Sequence, residues 1–597
     1  MSVGPAFSTR PELVGTFGMV ASTHWLASAT GMAVLERGGN AFDAAAAAAF
    51  TLQVVEPHLN GPGGDLVALL YSSERDRIHV VCGQGPAPRE ATTERFQELG
   101  LDLVPGTGLL AACVPGAFGG WLATLREFGT WPLADVLAFA IGYAEGGFPL
   151  VPRISQAIAG VERLFREEWR DSAAVWLPGG RPPRPGERFR NPLLAATYRR
   201  LLQEAEAAGG REGQIEAARR AWYEGFVAET IDMHLRRAAL RDSTGWRHGG
   251  LLRGEDLAAW QATLEPPVSF DYGPWRVHKT GPWGQGPVFL QQLALLAGFD
   301  LPALRPGSAD FIHVVVECAK LAFADREAWY GDPAFVPDLT LELVDPAYSA
   351  ERRRLVGPRA SLELRPGAPG GRQPRLPAAG TLSPAEEGIG LGDPTTAPLR
   401  GRPQGTCHVD VADRWGNLVS ATPSGGWLQS SPALPGLGFC LGSRAQIFTL
   451  EPGLPNSIAP GKRPRTTLSP SLAEREDGAR LAFGTPGADQ QDQWSLAFFV
   501  QLASSDWNLQ EAIDAPMWHT DHFPRSFYPH HSRPGTLVVE DRVGEATAAE
   551  LRRRGHRVEV QPAWSLGRLS AAGQDRPAGL LRAAANPRGM QGYAVGR

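Results

Sequence analysis

The sequence predicts an α+β protein built from stacked layers of helix and sheet, and three observations carry that reading. Residues 18–71 read as helix, helix, glycine turn and core strand. Residues 110–348 are mainly helical with strands interposed. A hairpin begins at residue 407, directly after a long stretch without apolar periodicity. No repeat at a solenoid period is present, so the chain reads as one compact unit.

Each element has a local cause. Residues 26–37 place apolar side chains at helical intervals and stop at Gly38-Gly39, where a helix turns out into left-handed geometry. Asn40 then caps an Ala-rich helix, with Asp43 in its first turn, where a carboxylate suits the positive end of the dipole. Within it, residues 44–55 are too short and too often interrupted to span a bilayer and read as buried helix. The turn Glu56-Pro57-His58-Leu59-Asn60-Gly61-Pro62-Gly63-Gly64 leads into a strand over 66–71. These glycines lack the GxGxxG spacing or P-loop lysine of a phosphate cradle, so close backbone packing is the better reading. Further on, 268–272 and 275–280 read as strands among helices. Residues 357–405, rich in Pro, Gly, Ala and Arg, read as a flexible linker, and 407–412 with 418–422 form strands joined by Asp413-Arg414-Trp415-Gly416-Asn417.

Composition narrows the function. A net charge of -5 gives no electrostatic footprint for nucleic acid or anionic lipid, so a small-molecule substrate is expected. The first residues show no basic region followed by an apolar one, and the expectation is a cytoplasmic protein without a membrane segment. The five cysteines lack CxxC spacing, which fits neither a disulfide framework nor a zinc site.

The chemistry concentrates at Gly405-Thr406-Cys407-His408-Val409-Asp410. A threonine hydroxyl is a poor nucleophile until a base takes its proton, and the threonine's own α-amino group can be that base once it is a chain terminus. Its reference pKa of roughly 8 suits it to accept the hydroxyl proton and return it to a leaving amine. The same hydroxyl can create the terminus by attacking the Gly405 carbonyl, shifting the acyl group from N to O and leaving an ester for water. Cys407 with His408 does not make a thiol enzyme, because neighbours on a strand face opposite ways. His519, His522, His530 and His531 lack zinc-site spacing and read as a solvated loop or site rim, and Trp518, Phe523, Phe527 and Tyr528 as loop packing.

The sequence around Thr406 resembles the Thr-Thr-His-x-x-Val-x-Asp start of the small subunit in the γ-glutamyltransferase family, with Cys407 in place of the second threonine. Collinear with it are Gly18-Met19-Val20-Ala21-Ser22-Thr23-His24, Gly38-Gly39-Asn40-Ala41-Phe42-Asp43, Val114-Pro115-Gly116, Ala324-Asp325-Arg326, Gly331-Asp332-Pro333, Pro460-Gly461-Lys462-Arg463-Pro464, Leu468-Ser469-Pro470 and Gly484-Thr485-Pro486-Gly487. The resemblance implies a four-layered αββα sandwich of the Ntn-hydrolase type. It also implies a precursor cleaved between Gly405 and Thr406 into segments 1–405 and 406–597 that stay together as a heterodimer, further dimerisation being left open. The activity implied is amide hydrolysis or acyl transfer through an acyl-enzyme, without cofactor or metal; glutathione metabolism is the setting of the family. Ser424 matches the second hydroxyl beside the nucleophile, and the N–H groups of Gly487 and Ala488 match the oxyanion hole, with Ala488 replacing a glycine.

The positions that would hold a γ-glutamyl zwitterion depart from the family. Gln84 stands in place of the carboxylate-binding arginine, Ile447 falls near the acidic partner of the ammonium, Thr466-Thr467 replace paired serines, and Gly426 replaces an asparagine. Arg444 is a new cation in the same loop. A site stripped of both charged partners would leave a zwitterion unpaired at a cost of several kcal/mol. The pattern Pro423-Ser424-Gly425-Gly426 resembles the branch containing oxamate amidohydrolase-like and cephalosporin acylase-like enzymes, and the expected donor is a small amide bearing a carboxylate held by Arg444. The alternative is a non-catalytic, unprocessed relative acting as a binding or scaffold protein.

Overall fold

The strand Asp65–Ser72 shows how the layers of this computed structural model arise, which describes residues 7–378, 405–590 and 592–597. Leu66, Ala68 and Leu70 join the apolar cluster of the helices Trp25–Glu36 and Ala41–Val55. Val67, Leu69 and Tyr71 point the other way, into a cluster shared with Leu472, Ala482 and Ala572 of a second sheet. Period-two alternation with both faces apolar thus buries the strand between a helix layer and another sheet.

Two seven-stranded sheets result. The first runs Tyr593–Gly596, Gly18–Ser22, Val409–Asp413, Leu418–Ser424, Asp65–Ser72, Arg77–Gly83 and Thr263–Glu265 in spatial order, all antiparallel. The second runs Leu13–Gly15, Leu580–Ala585, Ser570–Asp575, Arg480–Gly484, Ser471–Arg475, Trp275–Lys279 and Val268–Tyr272. Its outer face is covered by the helices Gly286–Leu296, Ala309–Trp329 and Gln491–Ala503. The order is helix, sheet, sheet, helix. Residues on both sides of Gly405 supply strands to each sheet.

The local signals act as read. Asn40 accepts from the N–H groups of Phe42 and Asp43, and the Asp43 carboxylate accepts in turn from Asn40 N and from Thr130. The helix behind it is buried along its whole length, and among the described residues no helix is long and apolar enough to cross a membrane. The glycine turn packs backbone on backbone: a Cβ on Gly64 would sit 2.1 Å from the Ser424 carbonyl oxygen and one on Gly63 2.2 Å from that of Cys440. At the hairpin, Asp413 Oδ1 accepts from the N–H groups of Trp415 and Asn417 and closes the turn; the paired strand starts at Val409 rather than at 407.

Two expectations change. The stretch 357–378 is irregular, yet it is bolted down by buried charged and polar side chains. His313 Nε2 donates to Gly357 O at 2.8 Å, Lys320 to Ser361 O at 3.0 Å, and Gly367 N–H to Asp325 at 2.6 Å. The linker expected over 379–404 lies outside the described residues. The histidines are not a solvated loop: His519 lies on the buried strand Trp518–Thr520, His522 is buried, and His530 and His531 are half-buried. Their sequence context is polar and Pro-rich, but the segment is folded in against the second helix layer.

His522 accepts from Gly535 N–H at Nδ1 and bonds Glu363 O through Nε2, an arrangement that fixes one neutral tautomer. Burial, with help from Lys320, pulls its pKa from the ordinary 6.5 down to about 4, and burial pulls that of His24 to about 3. The unfolded chain therefore takes up protons first as pH falls below 6.5, and the folded state loses about 1.4 kcal/mol per pH unit for each such histidine. Thermal melts from pH 7.5 to 5 should show the midpoint falling below pH 6.5, with a shallower fall for His522→Asn.

Candidate active site

The register of the first sheet lays four polar residues abreast at one end of it. Thr406 faces Ser424 across the entry to the hairpin, where Cys407 N–H bonds Pro423 O at 3.0 Å. Ser424 is paired with Asp65, and because Leu66 is paired with Gly83, Gln84 comes next to Asp65. Residues opposed in this way share a face. On the Thr406 side that face is the one between the sheets: His408 and Asp410, two and four residues on, point inward, where Asp410 accepts from Ser570 of the second sheet at 2.6 Å. Cys407 and Val409 belong to the cluster of the helix layer.

At the head of the row the Thr406 hydroxyl donates to the Gly405 carbonyl oxygen and lies 3.2 Å from Ser424 Oγ. Ser424 donates to the same carbonyl oxygen at 2.9 Å. A nucleophilic oxygen and a donor thus converge on one peptide group, the arrangement that an N-to-O acyl shift needs: the hydroxyl beside the carbonyl, and a hydrogen bond waiting for the negative charge that attack would put on its oxygen.

Behind the nucleophile the groups are structural. Cys407 donates its S–H to Glu56 at 3.1 Å, and Thr23 donates to the same carboxylate at 2.7 Å. Burial and the nearby Glu56 push the Cys407 thiol well up, so it is no thiolate. Arg568 donates to Thr406 O at 3.4 Å, and its backbone N–H bonds Thr485 Oγ1 at 2.9 Å, which ties the nucleophile's peptide to the loop after Gly484. That loop is anchored by the His408 ring, which leaves only 2.3 Å for a Cβ on Gly484.

The loop carries the two residues matched to an oxyanion hole. Gly487 has φ 139° with the Trp494 ring 2.3 Å from where a Cβ would be, so both conformation and space demand glycine. Ala488 follows at φ 49°, a left-handed position that costs an alanine about 1 kcal/mol. Its carbonyl accepts from Gln285 Nε2 at 3.2 Å.

Ala488 also packs with Trp427, Ile447 and Phe527 in a small buried apolar cluster. Phe527, expected as loop packing, therefore packs beside the loop that carries Gly487 and Ala488. The Arg444 guanidinium stands over the rings of Trp427 and Phe527, 5.3 and 5.7 Å from their centres. Its Nε donates to Asp65 at 2.7 Å, whereas Nη1 and Nη2 are buried with no hydrogen-bond partner among the described residues. Burial raises the Asp65 pKa against the opposing pull of Arg444. Gln84, next in the row, likewise keeps both amide atoms buried and unpartnered.

The remaining expected site residues are close but less committed. Thr466 uses its hydroxyl to accept from Leu468 N–H at 3.3 Å, and its carbonyl accepts from Gln285 N–H at 2.9 Å; the Thr467 hydroxyl is buried without a partner. Gly426, at φ 68°, packs against Gly61 and Gly64 and adds shape rather than chemistry. Sequence reasoning missed Asp65, Gln285 and Trp427; the glycine turn that brings Asp65 against 424–426 was the available signal. It also missed His313, Glu317 and His556, whose ligand-type atoms lie within 4.8 Å of one another. That group closes on itself: the imidazoles bond each other at 2.9 Å, and Glu317 is held by Lys320 at 2.6 Å and by Arg365.

The chain is similar to known proteins along almost its whole length. The profile of the Gamma-glutamyltranspeptidase family matches residues 27–596. The chain is 34% identical over 564 residues to the acylase ACY 1 proenzyme of Pseudomonas sp. (strain SE83), covering 92% of this chain and 88% of that one. It is 32% identical over 596 residues to the oxamate amidohydrolase proenzyme of Klebsiella pneumoniae, covering 98% and 99%. The solved structure of LmbA2991HD superimposes with a TM-score of 0.93 at 57% identity, covering 99% of this chain and all of that one. With the layer order, the register of Thr406 and a family match over almost its whole length, the chain belongs to the γ-glutamyltranspeptidase family of Ntn hydrolases.

Proposed function

We propose that the mature protein hydrolyses a small amide whose acyl group carries a carboxylate, with Thr406 as nucleophile, its freed α-amino group as base and Arg444 as the counter-ion. The observation that carries the substrate class is the free edge of Arg444: a buried guanidinium with two terminal nitrogens unpartnered, beside the nucleophile's row and flanked by aromatic faces. A carboxylate meets such an edge with two parallel hydrogen bonds.

Self-processing precedes catalysis. Thr406 Oγ attacks the Gly405 carbonyl carbon, the C–N bond to Thr406 breaks, and water hydrolyses the resulting ester, leaving a carboxylate on Gly405 and a free amine on Thr406. In turnover the hydroxyl gives its proton to that amine as it attacks the substrate carbonyl. The oxyanion accepts from the N–H groups of Gly487 and Ala488, and Ser424 orients the hydroxyl. Collapse expels the amine, which takes the proton back from the α-ammonium. Water then attacks the acyl ester in the same way and releases the acid.

The two-chain product of cleavage follows from this reading, since both segments supply strands to each sheet. Thr406→Ala should remain one chain on a denaturing gel, and Ser424→Ala should be cleaved at least about a hundredfold more slowly, the loss expected for one oxyanion donor. Wild type running as an intact chain while active would refute the α-amino base. In a panel of p-nitroanilides, succinyl and glutaryl derivatives should be turned over faster than acetyl, butyryl and γ-glutamyl ones. Arg444→Gln should erase that preference by raising KM for the anionic donors about 30-fold or more, the loss of a charged hydrogen-bonded partner. Equal rates for neutral and anionic acyl groups would remove Arg444 from substrate binding.

A further inference from the structure

Beyond the nucleophile's row lies a buried network whose residues touch no part of the reaction described above. Arg326, one of the landmarks in the helix Ala309–Trp329, is fully buried and sits at its centre. Its Nη1 donates to Gln285 Oε1 at 3.0 Å and to Asp489 at 2.5 Å. Gln285 passes the contact on through Nε2 to the Ala488 carbonyl at 3.2 Å. Asp489 passes it on by accepting from Ser526 N–H at 2.9 Å and from Ser526 Oγ at 2.6 Å, and Ser526 precedes Phe527.

The network has a third arm. Arg326 Nε bonds Glu327 at 2.9 Å, Glu327 accepts from Arg465 at 2.8 and 3.0 Å, Arg465 N–H bonds Asn456 at 3.1 Å, and Asn456 donates to the Ile447 carbonyl at 2.7 Å. The three arms therefore end on Ala488, on Ser526 immediately before Phe527, and on Ile447, so they reach or adjoin three of the four members of the apolar cluster at the site.

The charges balance: Arg326 and Arg465 against Glu327 and Asp489. Burial opposes charge on Arg326, but Glu327 and Asp489 outweigh it, and Arg326 in turn keeps Asp489 ionised although it is buried. A buried pair of this kind adds little net stability, so its value lies in the geometry it fixes. The geometry in question is unfavourable on its own, since Ala488 is held at φ 49°. A left-handed alanine relaxes unless its surroundings over-determine it.

We propose that Arg326 is a positioning residue that sets the oxyanion loop and two walls of the acyl pocket together, with Gln285 as its arm to Ala488 and Ser526 as its arm to Phe527. This rests on the proposed reaction, in which Ala488 supplies an oxyanion donor. Self-cleavage draws on Thr406 and Ser424 rather than on this loop, which separates a positioning defect from a folding defect.

The test compares wild type, Gln285→Leu, Ser526→Ala and Arg326→Lys. It follows self-cleavage on a gel, kcat and KM with the best p-nitroanilide of the panel, and hydrogen exchange of the peptide spanning 484–490. Gln285→Leu should self-cleave within about twofold of wild type, keep KM within about threefold, lose roughly 10- to 100-fold in kcat, and exchange at 484–490 about tenfold faster. Ser526→Ala should raise KM about three- to tenfold with kcat little changed, and Arg326→Lys should show both effects. Unchanged exchange and unchanged kcat in Gln285→Leu would overturn the proposal, as would cleavage and kcat falling in parallel. A wild type that hydrolyses no anilide sinks the proposed function instead, and the exchange measurement still decides whether Arg326 orders the loop.

Discussion

The site depends on a matter of register. Because Thr406 faces Ser424 and Ser424 faces Asp65 in neighbouring antiparallel strands, one end of one sheet presents the proposed nucleophile, a second hydroxyl and a buried carboxylate in line. A slip by one residue would send every one of these side chains to the helix layer. The slip is resisted on both faces, by Val409, Val411 and Ala421 against the helices and by the inward polar group of His408, Asp410, Ser420 and Ser570 between the sheets. The geometry of this row is thus fixed by packing that lies outside it.

Much of this was legible along the chain. The capped helix at Asn40, the hairpin closed by Asp413 and the threonine after Gly405 are local features, each encoded within a handful of neighbouring residues. The buried face of Ala41–Val55 was readable from composition alone, because fifteen consecutive residues without a charged group beyond Asp43 have no solvated side to offer. The glycines of 61–64 were readable as close packing, though not what they approach.

What was not legible joins positions far apart. Arg444 meets Asp65 across 379 residues of sequence, and Arg326 meets Asp489 across 163. No periodicity or spacing rule connects such pairs; only the folded sheet order does. The histidines near 520 misled for a related reason: local polarity signals exposure only where a segment has no tertiary cover, and this one lies beneath residues 357–363, bonded to Glu363 through His522. The first part of the expected linker, 357–378, reads as loose for want of apolar periodicity, whereas charged side chains of the helix Ala309–Trp329 do the holding.

The pairing of Arg444 with Asp65 bears on how the enzyme lets go of what it makes. In the proposed reaction an anionic donor would meet a cation that is already partly compensated, and so would gain less than from a naked guanidinium. The same holds for the acid released at the end of that reaction, which presents the same distal carboxylate to Arg444 and carries a second carboxylate newly formed by hydrolysis. On that proposal, a resident counter-ion would limit product retention and favour rapid exchange over tight capture.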